Sequence, residues 1–145
     1  MSKKQKIEDV ILFQLDLTSK ISKQYSQRDF DKLKLGITVE QWVLLKIISE
    51  SKDLTQKELA HKSYRDPASI TRTLDILEKK EFLYREAIPN NRRSYHIVLS
   101  SKGRQFIETH MDLIVRHREN SIKGISKKNL TIMSEILTKM RENMK

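Results

Sequence analysis

Apolar residues recur three or four apart from Ile7 to about Leu33, at Ile7, Val10, Ile11, Leu15, Leu17, Ile21, Tyr25, Phe30 and Leu33, and this spacing predicts a long amphipathic helix. Gly36 ends it. Thr38 and Gln41 then have capping-box spacing, a hydroxyl to cap a new helix and an amide three residues on to reach back. A second helix therefore runs to about Glu50 and buries Trp42, Leu45 and Ile48. Thr55 and Glu58 repeat the device and open a short third helix carrying Leu59 and Ala60, ending near Lys62. Asp66-Pro67 places a capping carboxylate before a proline, whose fixed φ and missing donor suit the first helical position. In the fourth helix, to about Lys80, Ile70, Leu74 and Leu77 form the buried stripe, leaving Ala68, Ser69, Arg72, Thr73 and Asp75 for other faces.

After Lys80 the pattern becomes strand-like, with segments Phe82 to Ile88 and Ser94 to Leu99 separated by Pro89-Asn90-Asn91-Arg92-Arg93, a hairpin with a basic tip. Helical period returns from about Ser101, with Phe106, Ile107, Ile114 and Val115, and again in Leu130, Met133, Ile136, Leu137 and Met140, where Ser126 is the candidate cap. The expected architecture is mainly α: a winged helix-turn-helix with a two-stranded β wing, flanked by long N- and C-terminal helices. The divisions are residues 1–36, an N-terminal helix, 37–100, the winged helix-turn-helix, and 101–145, the C-terminal helices.

Composition narrows the function. The 29 Lys and Arg against 19 Asp and Glu give a formal charge of +10, a field that favours polyanions, either nucleic acid or an anionic membrane surface. The absence of cysteine excludes disulfides, cysteine-rich zinc sites and thiol switches. The basic start Met1-Ser2-Lys3-Lys4-Gln5-Lys6 is followed by apolar residues broken by Glu8, Asp9, Gln14 and Asp16, which is no signal peptide. No run approaches the ~18 apolar residues of a membrane span, so a cytoplasmic protein without membrane contact is expected.

Four residues separate Lys62 from Pro67, a normal helix-turn-helix spacing, and the following hairpin could lie beside a helix set in the major groove. Arg72, turned about 200° from Ile70, faces the groove if Ile70 faces the core. It would then fork onto a guanine edge, contact phosphate or remain solvated. Ser69, Thr71 and Thr73 are donors to phosphate or bases, or ordinary helix residues. At the turn, either one of Arg92 and Arg93 enters a narrow minor groove while the other reaches phosphate, or both form a solvated basic hairpin. Lys57, Lys79, Lys80 and Arg85 add screened, sequence-independent attraction at most.

The run Leu54-Thr55-Gln56-Lys57-Glu58-Leu59-Ala60 and then Pro67 to Lys80 resembles the multiple-antibiotic-resistance regulator (MarR) family. Tyr84-Arg85, Pro89, Arg92-Arg93, Val98-Leu99-Ser100 and Lys102-Gly103 are similar to that family's wing and the helix start after it. The resemblance covers about Thr38 to Gly103. It implies a homodimer built from the terminal helices, binding a pseudo-palindromic double-stranded operator, usually as a repressor released by a small molecule or stress signal. The implied DNA-contact set is Pro67, Ala68, Ser69, Thr71, Arg72 and Thr73 on the helix and Asn91, Arg92 and Arg93 on the wing, with Arg93 the preferred minor-groove residue. An effector pocket near Tyr25, Phe30 and Trp42 is also implied, although Trp42 reads first as core.

Two positions depart from the family pattern: Asn91 stands where Asp is usual and Glu81 where Gly is usual. Losing the Asp removes a carboxylate that could hold a wing arginine. A left-handed Glu81 costs roughly 1 kcal/mol relative to Gly, unless the helix ends another way.

Other chemistry finds little support. His110 and His117 share a helix face but lie about 10 Å apart along the axis, too far for one metal. Met111, Met133, Met140 and Met144 read as helix packing rather than an oxidation sensor. No phosphate loop, nucleophile elbow or carboxylate pair points to an enzyme, and no cofactor is expected. The remaining rivals are a winged helix that binds proteins, which should carry a neutral or acidic recognition face, and a basic amphipathic membrane binder.

Overall fold

The computed structural model describes residues 3–145; Met1 and Ser2, the start of the basic N-terminal run, lie outside them. After a short 3₁₀ turn at Ile7–Asp9 come α1 (Ile11–Lys32), α2 (Val39–Ser49), α3 (Gln56–Ser63), α4 (Pro67–Lys79), β1 (Leu83–Ile88), β2 (Asn91–Leu99), α5 (Ser101–Ser121) and α6 (Lys127–Asn143). This is the mainly α winged helix-turn-helix that the hydrophobic pattern predicts. The helix N-termini follow the capping residues. Thr38 accepts from the Gln41 amide at 3.1 Å while the Gln41 side chain accepts from Thr38 N. Thr55 and Glu58 form the same reciprocal pair. Asp66 Oδ1 accepts from Ser69 N at 2.9 Å ahead of Pro67.

α1 starts at Ile11 rather than Ile7 because Val10 is extended, with φ −76° and ψ 123°, and separates the helix from the 3₁₀ turn. Periodicity cannot see such a break, since both sides of it keep their apolar spacing.

Contacts divide the chain into two compact units, one through Met111 and one of Asp112–Lys145. In the first unit Leu44, Leu45, Leu54, Leu59, Ile70, Leu74, Leu77 and Leu83 make a core with almost no exposed surface. Phe106 joins it, packing on Trp42 and on Phe82 with ring centroids 6.3 and 4.6 Å apart. In the second unit Gly124, at φ +83°, turns the chain, and Ser126 caps α6 by accepting from Asn129 N.

β1 and β2 pair antiparallel from Leu83↔Leu99 to Ala87↔Tyr95, and the next pair is Ile88↔Asn91. Arg92, Arg93 and Ser94 thus fall in a bulge. The strand begins at Asn91, not at Ser94 as the pattern suggests, and the connecting turn shrinks to Pro89-Asn90, with Asn90 at φ +66°. On its other side β2 bonds to the α2–α3 connection, Ile97 N donating to Leu54 O at 2.8 Å.

α4 ends in a Schellman turn: Phe82 N donates to Leu77 O and Glu81 N to Glu78 O, with Glu81 at φ +65°. The helix has no alternative ending that spares Glu81 the left-handed conformation. Its ion pair with Lys102, 3.4 Å between exposed side chains, offsets little. Glu81→Gly should therefore stabilise the protein by up to about 1 kcal/mol. Urea denaturation checks this, and an unchanged or lower midpoint contradicts it.

Candidate nucleic-acid interface

α4 sits with Ile70, Leu74 and Leu77 fully buried, which turns Arg72 outward. The Arg72 guanidinium has no hydrogen-bond or ion-pair partner among the described residues. Pro67 and Ala68 are exposed at the same helix end. Thr71 is exposed, but its hydroxyl is engaged twice, accepting from Gln56 Nε2 at 2.8 Å and donating to Pro67 O at 3.0 Å.

Thr73 departs from the expected placement. It is 8% exposed and its hydroxyl donates to Ser69 O, so it faces inward rather than toward a groove. The reason is helical geometry: a residue three beyond Ile70 shares its face almost as well as Leu74 does.

Arg85 is also not a screened surface charge. From β1 it donates to Asp75 Oδ1 at 2.7 Å and Glu78 Oε2 at 2.9 Å, both on α4, and to Thr71 O. Its side chain is 18% exposed. This fork ties the wing to the helix. Lys80 Nζ likewise donates to Gly36 O at 3.0 Å, leaving Lys57 and Lys79 as the exposed lysines of this region.

On the wing, Arg92 and Arg93 are exposed in the bulge of β2. Asn91 Oδ1 accepts from Arg93 N at 3.2 Å, so the amide oxygen supplies a local turn at the position where the resembled family usually has Asp. A hollow of about 610 Å³ lies between wing and helices, its lining including Lys57, Pro67, Thr71, Arg85, Arg93 and Tyr95. Two wing arginines, Arg85 and Arg93, and the start of α4 are thereby brought to a single concavity.

The residues expected at an effector pocket lie elsewhere. Phe30 and Trp42 are buried and meet edge to face at 6.4 Å; Tyr25 is half-buried. Phe30 also lines a hollow of about 520 Å³ with Gln27, Asp31, Lys34 and Lys80. Trp42 Nε1 is buried with no hydrogen-bond partner among the described residues. Among those residues no group of three or more His, Asp or Glu is placed to hold a metal, and no helix is long and apolar enough to cross a membrane.

Sequence reasoning passed over Arg65, in the turn between α3 and α4. Its Nη2 donates to Ser69 Oγ and to Thr73 Oγ1, the latter at 3.3 Å, and lies 3.5 Å from Glu40 on α2. Position alone gives no signal for this, because a turn arginine is usually solvated.

Similar folds occur among solved structures. A MarR/EmrR family transcriptional regulator from Acinetobacter sp. ADP1 matches at TM-score 0.86 and 18% identity, over 97% of this chain and 98% of its own. MepR of S. aureus, solved in complex with DNA, matches at 0.81 and 22%, over 92% and 98%. A MarR family transcriptional regulator from Rhodococcus sp. RHA1 matches at 0.84 and 20%, over 94% and 95%. The MarR family model matches residues 37–95. That segment holds α2, the helix-turn-helix, β1 and the arginine-bearing half of β2, and the chain as a whole shares the winged helix-turn-helix fold of these solved structures.

Proposed function

We propose that this protein is a sequence-specific transcriptional regulator of double-stranded DNA, acting as a homodimer on a pseudo-palindromic operator and repressing until a small molecule or stress signal releases it. The observation that carries the reading is the placement of cations without a partner among the described residues on both expected contact elements, Arg72 on the outer face of α4 and Arg92 in the wing bulge, with Arg93 beside the hollow between them. The net charge of +10 supplies the long-range attraction. A binding role, not an enzymatic one, fits these groups. The DNA complex of MepR, a protein of the same fold, supports the polyanion being duplex DNA.

The homodimer rests on apolar surface. α1 exposes Ile11, Leu12, Leu17 and Ile21, and α6 exposes Ile132, Met133 and Ile136. Solvent-facing stripes of this kind mark association surfaces. On this reading residues 1–36 and 101–145 are the dimerisation region. Ligand and DNA must antagonise one another reciprocally if an effector releases the operator.

Salt titration of wild type, Arg72→Ala and Arg93→Ala on operator and scrambled duplexes tests the assignment. The operator comes from selecting bound genomic fragments. Arg72→Ala should cost ~1 to 3 kcal/mol on the operator, less on scrambled DNA, and relax preference at one base position per half-site. Arg93→Ala should weaken binding most where the minor groove is narrow and lower the salt slope by about two ions per dimer. Equal losses on both duplexes with unchanged slopes would show the two arginines to be misplaced.

A further inference from the structure

We propose that Ser69 is the donor hydroxyl of the recognition helix and that Arg65 is the positioning residue that makes it one; this rests on the DNA-binding reading above. Three hydroxyls, those of Ser69, Thr71 and Thr73, stand on the first half of α4. Each carries a single proton, so its use as a donor depends on whether that proton is already taken. Thr71 donates to Pro67 O and Thr73 to Ser69 O, the i−4 carbonyls of their own helix. Thr73 is buried besides. Ser69 is partly exposed and donates to none of the described residues.

Arg65 accounts for the difference. Its Nη2 donates into Ser69 Oγ, filling an acceptor position with a charge-assisted bond, and into Thr73 Oγ1 on the turn beyond. A hydroxyl that accepts from a guanidinium is polarised to donate its own proton onward. The same Nη2 lies 3.5 Å from Glu40 Oε2, and Nη1 is buried with no partner among the described residues. Leaving that donor unmet is costly in a position where an apolar side chain could pack. The cation is retained under the helix for what it does to Ser69. The acceptor that Ser69 meets is a lone pair on DNA, either a phosphate oxygen or a base-edge atom such as guanine N7.

A double-mutant cycle on operator affinity tests the pair, with thermal stability measured for each variant. Ser69→Ala and Arg65→Met should each weaken binding about tenfold, the loss of one charge-assisted hydrogen bond. Together they should lose scarcely more than either alone. Arg65→Lys, which keeps the charge but not the fork, should fall between wild type and Arg65→Met. If Arg65→Met fails to fold, Arg65→Gln, which keeps an amide donor, completes the cycle. Duplexes carrying single methylphosphonates or single 7-deazaguanines locate the acceptor. One substitution should weaken wild type and leave Ser69→Ala unaffected, and its chemistry identifies phosphate or base. Losses that multiply, a Ser69→Ala protein that binds like wild type, or no such position on the duplex would each overturn the pairing. A wild-type protein that binds no duplex overturns the DNA-binding reading itself.

Discussion

Gly103→Ala should destabilise the protein by about 3 kcal/mol, near the upper end for overpacking a core, with a fall of roughly 10 °C in Tm. On an exposed helix the same change would gain about 1 kcal/mol, since alanine is the better helix former. Here packing reverses the sign. Gly103 is buried in the first turn of α5, and a β-carbon built on it stands 2.1 Å from Phe82 O and 2.9 Å from Leu99 Cδ1. The first of these is backbone and cannot rotate away. It is fixed further because Ser100 N donates to the same carbonyl, and because Ser100 Oγ donates to Glu81 O while accepting from Gly103 N. The end of α4, the start of the wing and the start of α5 are joined at this point, so the cost should extend to DNA affinity through the wing's placement. Gly36→Ala is a fair comparison, as nothing lies within 4 Å of its added carbon and only φ +76° opposes it. That variant should lose about 1 kcal/mol. Thermal and urea denaturation of both decide the matter; a Gly103→Ala protein as stable as wild type refutes the packing argument.

Ending the chain at Ile125 should abolish specific DNA binding and leave a monomer or an aggregate. The shortened chain lacks α6 and with it the exposed apolar residues Ile132, Met133 and Ile136. If those residues seal a two-fold interface, their loss unpairs the two recognition helices, and each half-site must then be bound alone. Two linked contacts are stronger than one by the effective concentration their linkage supplies, commonly 10²-fold or more. Analytical ultracentrifugation beside an operator shift assay reads both effects. A well-folded dimer with full affinity refutes the role given to α6.

Much of the fold is legible in the chain because it is written locally. Thr38 with Gln41, Thr55 with Glu58, Asp66 with Pro67 and Ser126 each mark a helix start by a contact spanning three residues, and each forms as spaced. What sequence reasoning misses depends on how neighbouring elements fold against one another, even when the partners are close along the chain. Arg85 looks like any wing cation until the strand is laid beside α4 and meets Asp75 and Glu78. Arg65 looks solvated until the turn folds it under Ser69 and Thr73. Thr73 itself was assignable from periodicity, but a stripe of Ile70, Leu74 and Leu77 counts the i+4 and i+7 positions and overlooks i+3. The bulge at Arg92 to Ser94 has no sequence mark, because the polar run from Asn90 to Ser94 carries no alternation in which a shift of register could show.

That bulge gives the wing a latitude that a regular hairpin lacks. In an unbroken ladder, one residue added near the turn would slip the register and exchange the inward and outward faces of a whole strand. Here the pairs from Leu83↔Leu99 to Ala87↔Tyr95 are fixed by buried leucines and by the bond from Ile97 to Leu54, while the unpaired stretch acts as slack. Residues can be gained, lost or exchanged there without disturbing the core. The tip of the wing can thus change in length and charge independently of the scaffold, and on the proposed DNA-binding reading it is where operator preference can be altered while the fold is kept.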